Sequence, residues 1–169
     1  MLFRSANLRK AYLVKAKLDG ADLTHANLSY AVLNRGSLIG VTAYRTSFAH
    51  ASLTFANLYT ADLRESNFDY ASGAMANFYS ANLARSWFFR SNFMSANFTS
   101  ANLYDARFRR ANLSEALLRS ANLTSATVVG SNLTKAELTS ANLDDANLAG
   151  TDMEDAKFTA DSIREAYKK

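Results

Sequence analysis

Residues 101–120 read Ala101-Asn102-Leu103-Tyr104-Asp105, Ala106-Arg107-Phe108-Arg109-Arg110, Ala111-Asn112-Leu113-Ser114-Glu115, Ala116-Leu117-Leu118-Arg119-Ser120. Four times in succession an Ala is followed two residues later by Leu or Phe. Outward from this stretch the same five-residue register runs back to Met1 and on to the C-terminus without an insertion. Of 33 third positions, 31 are Leu, Phe, Val, Met or Ile, and only Ala43 and Gly73 depart. Two residues earlier, 27 of 33 positions are Ala or Ser, and Asn or Asp stands between in about half the blocks.

A period of five fits neither regular element. On a helix each step of five turns the large residue by roughly 140°, which scatters Leu around the whole surface. On a flat strand an odd period puts successive Leu on opposite faces. A chain that turns a corner in every block resolves the conflict, with one large and one small residue inward and three outward. No block buries its own core, so coils must stack. The fifth residue of every fourth block is small: Gly20, Gly40, Thr60, Ser80, Ser100, Ser120, Ser140, Ala160. Phe48, Phe68, Phe88 and Phe108 recur at the same interval of twenty. Four blocks per turn and about eight turns follow, a rod roughly 40 Å long at the usual strand spacing.

The repeated Ala-(Asn/Asp)-Leu motif resembles the pentapeptide-repeat family over essentially the whole chain. That resemblance implies an all-β, right-handed, four-sided β-helix, with short bridges on flat faces and tight turns between them. The expected division is a β-helix over 1–161 and a capping helix over 162–169. Ser162-Ile163-Arg164-Glu165 reads as a capping box, and Ile163, Ala166 and Tyr167 supply an apolar stripe over the last coil. Gly73 is expected to be compensated by Phe68 and Phe78 of its own coil, and Ala43 by Phe48. No cap is expected ahead of the N-terminal coil, and that end is a candidate for stacking against a partner or a second copy.

The 169 residues include no Pro and no Cys, which excludes disulfides and thiolate metal sites. No run of apolar residues reaches the eighteen that a membrane span requires, and the first residues lack a signal-peptide pattern. A cytoplasmic, bacterial protein is expected. The net charge of +4 is uneven: residues 1–110 hold 13 Lys/Arg against 6 Asp/Glu, and residues 111–169 hold 6 against 9. His25 and His50, the two histidines, fall in different coils and at different corners. Nothing in the spacing supplies a nucleophile, base and orienter within mutual reach. No enzyme activity, no cofactor and no metal are expected. Asn82, Asn102, Asn122 and Asn142 read as a structural ladder, and the Asn-Leu-Thr triplets arise from the repeat itself.

The outward residues carry more information. Winding at twenty residues per turn gathers Arg45, Arg64, Arg85, Trp87, Phe89, Arg90, Arg107, Arg109 and Arg110 on the second face and its leading corner, with His50 and Tyr70 nearby. Trp87, the only Trp, holds an outward position that the repeat usually gives to Asn. Exposed Trp and Arg are enriched at binding hot spots. On the third face Phe55, Met75 and Met94 are outward apolar residues. Toward the C-terminus, Asp144, Asp145, Asp152, Glu154 and Asp155 form an acidic group; Asp144, Asp145 and Glu154 mark it as a second candidate surface.

These features point to a non-enzymatic interaction or scaffold module that presents a rigid rod to a protein partner or to itself, with homodimerisation through an end of the rod as one form. The resemblance also implies an alternative. Some family members look like B-form DNA and bind DNA gyrase, conferring resistance to quinolones or topoisomerase poisons. A nucleic-acid ligand is less favoured, because no continuous basic stripe follows the rod, and no membrane partner is expected.

Overall fold

The protein, seen in a computed structural model that describes residues 2–159, is a β-helical solenoid with four blocks to each coil. Its register is read directly from the bridges. Leu2 pairs with Asp22, Asn7 with Asn27, Trp87 with Arg107 and Asn132 with Asp152, every pair parallel and twenty residues apart. One bridging residue per block is too short to count as a strand, save where β1 (Glu137–Leu138) pairs in parallel with β2 (Lys157–Phe158). The four faces are numbered by their bridging residues: face 1 holds Asp22 and Asp62, face 2 Asn67 and Trp87, face 3 Ser72 and Asn92, and face 4 Asn57 and Asn77. Coils are numbered from the N-terminus, so that coil 5 is 81–100, coil 6 is 101–120, coil 7 is 121–140 and coil 8 starts at 141. The expected capping helix at 162–169 lies outside the described residues. No helix among the described residues is long and apolar enough to cross a membrane.

The five positions of a block follow from where its backbone donors go. In the block that starts at Ser86, the second residue donates downward, Trp87 N to Ser66 O at 3.0 Å. The third and fifth donate upward, Phe88 N to Arg107 O at 2.8 Å and Arg90 N to Arg109 O at 3.1 Å. The first residue of the next block closes the turn, Ser91 N to Phe88 O at 3.2 Å. One N–H per block, the fourth, is left over. Its usual acceptor is the Asn or Asp side chain two residues earlier, as in Tyr104 N to Asn102 Oδ1 at 3.2 Å and Thr134 N to Asn132 Oδ1 at 2.8 Å. This is the reason for Asn and Asp at the second position: the short side chain reaches its own turn. Several of these amides also donate downward, Asn102 Nδ2 to Asn82 Oδ1 at 3.2 Å and Asn122 Nδ2 to Asn102 Oδ1 at 3.3 Å, which makes the expected ladder.

Every fifth position from Ser5 to Asp155 has φ between 51° and 64°. A positive φ at the third residue of a four-residue turn is the type II pattern. Most of these positions are not glycine, so a modest local strain recurs once per block and is carried by the ladder around it.

The core is the inward first and third columns. Phe48, Phe68, Phe88 and Phe108 stack along face 2 with centroids 4.9, 5.0 and 4.4 Å apart. Where the first position is Ser or Thr, its buried hydroxyl donates to a turn carbonyl, as Thr46 Oγ1 does to Leu23 O at 2.6 Å and Ser66 Oγ to Ala43 O at 2.6 Å. The compensation for Gly73 differs from the expectation. A Cβ on Gly73 would stand 2.1 Å from Cε1 of Phe93, so the space belongs to the ring one coil above. That ring packs edge-on against Phe68 at 6.0 Å and Phe78 at 5.6 Å. Met75 and Phe55 stay half exposed, at 51% and 49%.

Candidate partner-binding face

The fold places the nine basic and aromatic candidates on face 2 and its two corners. Arg45 and Arg85 are fifth residues and Arg64 a fourth residue at the corner between faces 1 and 2. Trp87 and Arg107 are bridging neighbours on the flat of face 2. Phe89, Arg90, Arg109 and Arg110 line the corner between faces 2 and 3. Over coils 5 and 6 this makes two rows, Trp87-Phe89-Arg90 below and Arg107-Arg109-Arg110 above.

The arginines divide into two groups by their partners. Arg45 Nε donates to Glu65 at 2.7 Å, and Arg64 donates twice to Asp62, with both bonds at 2.7 Å. Those bonds hold the carboxyls of Glu65 and Asp62 below the usual carboxylate range and raise both guanidinium groups. Arg85 lies 3.9 Å from Asp105. Arg90, Arg107, Arg109 and Arg110 form no ion pair among the described residues. The first group is therefore neutralised in place, whereas the second presents net charge to solvent.

Aromatic rings extend the site along the corner. Tyr30, His50 and Tyr70 stack at 4.5 and 4.8 Å, and Phe89 meets Tyr70 edge-on at 5.4 Å. Arg9 covers the lower end of this stack at 4.8 Å from Tyr30, and Arg90 the upper end at 5.4 Å from Phe89. Phe89 is thereby half-buried, while Trp87 remains 36% exposed. At the opposite corner, Ala84 stands in a column between Arg64 and Tyr104. The missing side chain opens a notch of about 340 Å³ lined by Tyr44, Arg64, Glu65, Ala84, Arg85 and Tyr104.

A family model described as pentapeptide repeats, in eight copies, matches residues 6–42, 44–72, 76–115 and 116–155. The chain belongs to the pentapeptide-repeat family. It is similar to HetL, a pentapeptide repeat protein involved in heterocyst differentiation regulation from the cyanobacterium Nostoc sp. strain PCC 7120. That likeness is 28% identity over 92% of this chain and 82% of HetL, with a TM-score of 0.42. A trypsin-treated form of QnrB1, a plasmid-mediated fluoroquinolone resistance protein, superposes with a TM-score of 0.64 at 19% identity, covering 87% of this chain and 82% of QnrB1. Rfr23 from the cyanobacterium Cyanothece 51142 is 26% identical over 56% of this chain and 60% of its own, with a TM-score of 0.44. No curated protein matches the chain.

Within this pentapeptide-repeat frame Trp87 has a structural cost that sequence reasoning missed. An indole accepts no hydrogen bond from the turn, so the Phe89 N–H turns to Asp69 Oδ1 of the coil below, at 2.7 Å. Asp19 does the same for Ile39 at 2.9 Å and Asn34 for Thr54 at 3.0 Å. The signal was present in the sequence: an Asp or Asn at the fourth position, twenty residues before a block that lacks Asn or Asp at its second. The Ala84 notch was also missed, because only the stacked column shows Ala84 between two long side chains.

The other candidates are dispersed. Phe55 and Met75 sit at the corner between faces 3 and 4, with Arg35 covering Phe55 at 5.4 Å, and Met94 is at the same corner one coil higher. The acidic group does not form one surface. Asp144 and Asp145 occupy the corner between faces 1 and 2, while Glu154 and Asp155 occupy the diagonally opposite corner. Asp152 lies on face 3, where its Oδ1 accepts the Glu154 N–H at 3.1 Å. His25 packs edge-on to Tyr44 at 5.8 Å, and His50 lies between two tyrosines. Among the described residues no group of three His, Asp or Glu side chains converges to hold a metal.

Proposed function

We propose that this protein is a non-enzymatic interaction module whose working surface is face 2 at coils 5 and 6, presented by a right-handed rod. One observation carries the proposal. Trp87 and Arg107 replace Asn at consecutive bridging positions, and beside them Arg90, Arg109 and Arg110 form no ion pair among the described residues. The fold has no use for an exposed indole there and diverts Asp69 to serve the orphaned N–H. An amphipathic Trp ringed by arginines is the composition of a protein-binding hot spot. The alternative, a B-form-DNA mimic that binds DNA gyrase, needs an acidic flank along the rod. Here the middle coils are basic and the acidic side chains lie on opposite corners.

The deciding experiment is capture of partners from a native lysate by the wild-type protein and by the W87S/F89S double variant. Trp87 is exposed and Phe89 half-buried, so folding should survive, as circular dichroism would verify. The specific partner should bind at least about 30-fold more weakly, equivalent to about 2 kcal/mol. Retention at wild-type level would remove face 2 as the site. Inhibition of gyrase supercoiling that is untouched by the double variant would instead favour the DNA-mimic reading.

A further inference from the structure

We infer that face 4 pairs with face 4 of a second copy of this chain, the two rods running antiparallel about a two-fold axis that lies in the contact plane, along the strand direction at coil 4 (61–80). Over coils 3 to 5 this face and its flanking corners carry no charge at all, since none of residues 54–60, 74–80 and 94–100 is acidic or basic. Phe55 and Met75 are exposed along one edge, and Tyr59 and Tyr79, stacked at 5.7 Å, along the other. Four large exposed side chains around one flat face exceed the scattered single residues of an ordinary surface. The polar column between them costs little to cover. Asn77 Nδ2 donates to Asn57 Oδ1 at 3.0 Å, and the two amide oxygens accept the N–H groups of Tyr79 and Tyr59 at 3.1 and 3.2 Å.

Such an axis keeps each corner on its own side and exchanges coils at equal distances from coil 4. Coil 3 then faces coil 5, and coil 2 faces coil 6. Met75, Asn77 and Tyr79 meet their own counterparts, while Phe55 faces Ser95 and Tyr59 faces Thr99, so that each ring meets a smaller side chain. Two coils from the axis, Arg35 faces Glu115, and neither forms an ion pair among the described residues. Both lean toward the axis. The Arg35 guanidinium lies over the Phe55 ring at 5.4 Å, and the Glu115 carboxylate accepts a bond from Ser95 Oγ at 3.0 Å. The opposite charges therefore arrive at one level, and the pair occurs twice, as an isologous interface demands. Three coils from the axis the matches are mixed, Lys17 against Glu137 but Lys15 against Lys135, which confines the contact to coils 2 to 6.

Five coils at about 4.8 Å make a strip about 24 Å long, and five residues at about 3.3 Å make it about 16 Å wide. The resulting area of about 400 Å² per partner is about half that of a standard interface, so the affinity is modest, with Kd on the order of 0.1 mM. Face 2 lies on the far side of the rod and stays free, so this pairing stands or falls independently of the partner-binding role of face 2.

Sedimentation equilibrium of the full chain at low salt tests this directly. The wild type should show a monomer–dimer equilibrium. Met75→Glu puts two carboxylates face to face on the axis and should weaken it at least about tenfold. Arg35→Glu and Glu115→Arg should each weaken it by a similar factor, since each sets like charges opposite one another. The combined R35E/E115R protein reverses both partners and should recover to within about threefold of wild type. A wild type that stays monomeric up to about 1 mM, well above that Kd, would overturn the inference. So would a dimer indifferent to Met75→Glu, which would lie at another surface such as an end of the rod. Single effects that fail to cancel in the combined variant would also overturn it, because rods paired in parallel would set Glu115 against Arg119 instead.

Discussion

Trp87 and Asp69 share one hydrogen-bond obligation, and that makes the site testable without a ligand. The Phe89 N–H must find an acceptor at a half-buried turn, and Asp69 Oδ1 supplies it at 2.7 Å. Asp69→Ala should therefore cost about 1 kcal/mol in equilibrium unfolding, the usual loss for one such bond. Trp87→Asn restores the side chain that serves this N–H in neighbouring blocks, as Asn102 does for Tyr104. In the combined variant the cost of losing Asp69 should largely disappear, a coupling visible in a double-mutant cycle. Simple additivity would mean that Asp69 is not standing in for an absent Asn. At this scale the Asn and Leu of the motif were legible in the sequence. The substitution of an acceptor from the coil below was not, because it depends on which blocks are stacked.

At the scale of a core column, Gly73 and Phe93 behave as a pair. The other third positions of its column are large, yet the Phe93 ring occupies the place where a Gly73 side chain would be, with Cε1 2.1 Å from the would-be Cβ. Gly73→Leu must expel that ring, and overpacking of this kind costs about 2–3 kcal/mol. Adding Phe93→Leu returns the column to its ordinary Leu-on-Leu form and should recover most of the loss in a thermal melt. If the double variant is less stable than G73L alone, the volume exchange between coils is wrong. A regular third-position column is plain from the sequence. The direction in which an aromatic ring leans from one coil into the next is set by packing density, and a lone Gly in the column shows only that something else fills the gap.

The whole molecule is a stack in which each coil touches only its neighbours, so perturbations act locally before they act globally. Four carboxyls with lowered pKa fall in the first four coils. Asp19 is held down by the Ser37 hydroxyl and the Ile39 N–H, and Asp22 by Thr24. Asp62 is held down by Arg64 and Glu65 by Arg45. Each has a folded value below its unfolded value of about 4, so its contribution is complete above about pH 4 and is lost as the pH falls through the folded value. Acid should consequently loosen residues 2–65 first. Amide hydrogen exchange as the pH is lowered toward 2, corrected for intrinsic rates, should show protection falling there before it falls around the Phe88–Phe108 stack. Uniform loss along the rod would contradict this account.

The amino-acid sequence by itself determined the repeat, the inward columns, the twenty-residue coil and the membership of face 2, because a strict period leaves one way to bury the third-position Leu and Phe residues. It also marked Trp87 as an intruder in an Asn column. What only the tertiary structure decided is how the outward residues share their charges. Arg45 and Arg64 are quenched by Glu65 and Asp62, whereas Arg90, Arg107, Arg109 and Arg110 are not. The acidic residues that read as one group in the sequence point from opposite corners. Periodicity fixes where a side chain leaves the backbone, but ion pairing depends on distances of a few ångströms between coils, and those exist only once the coils are stacked.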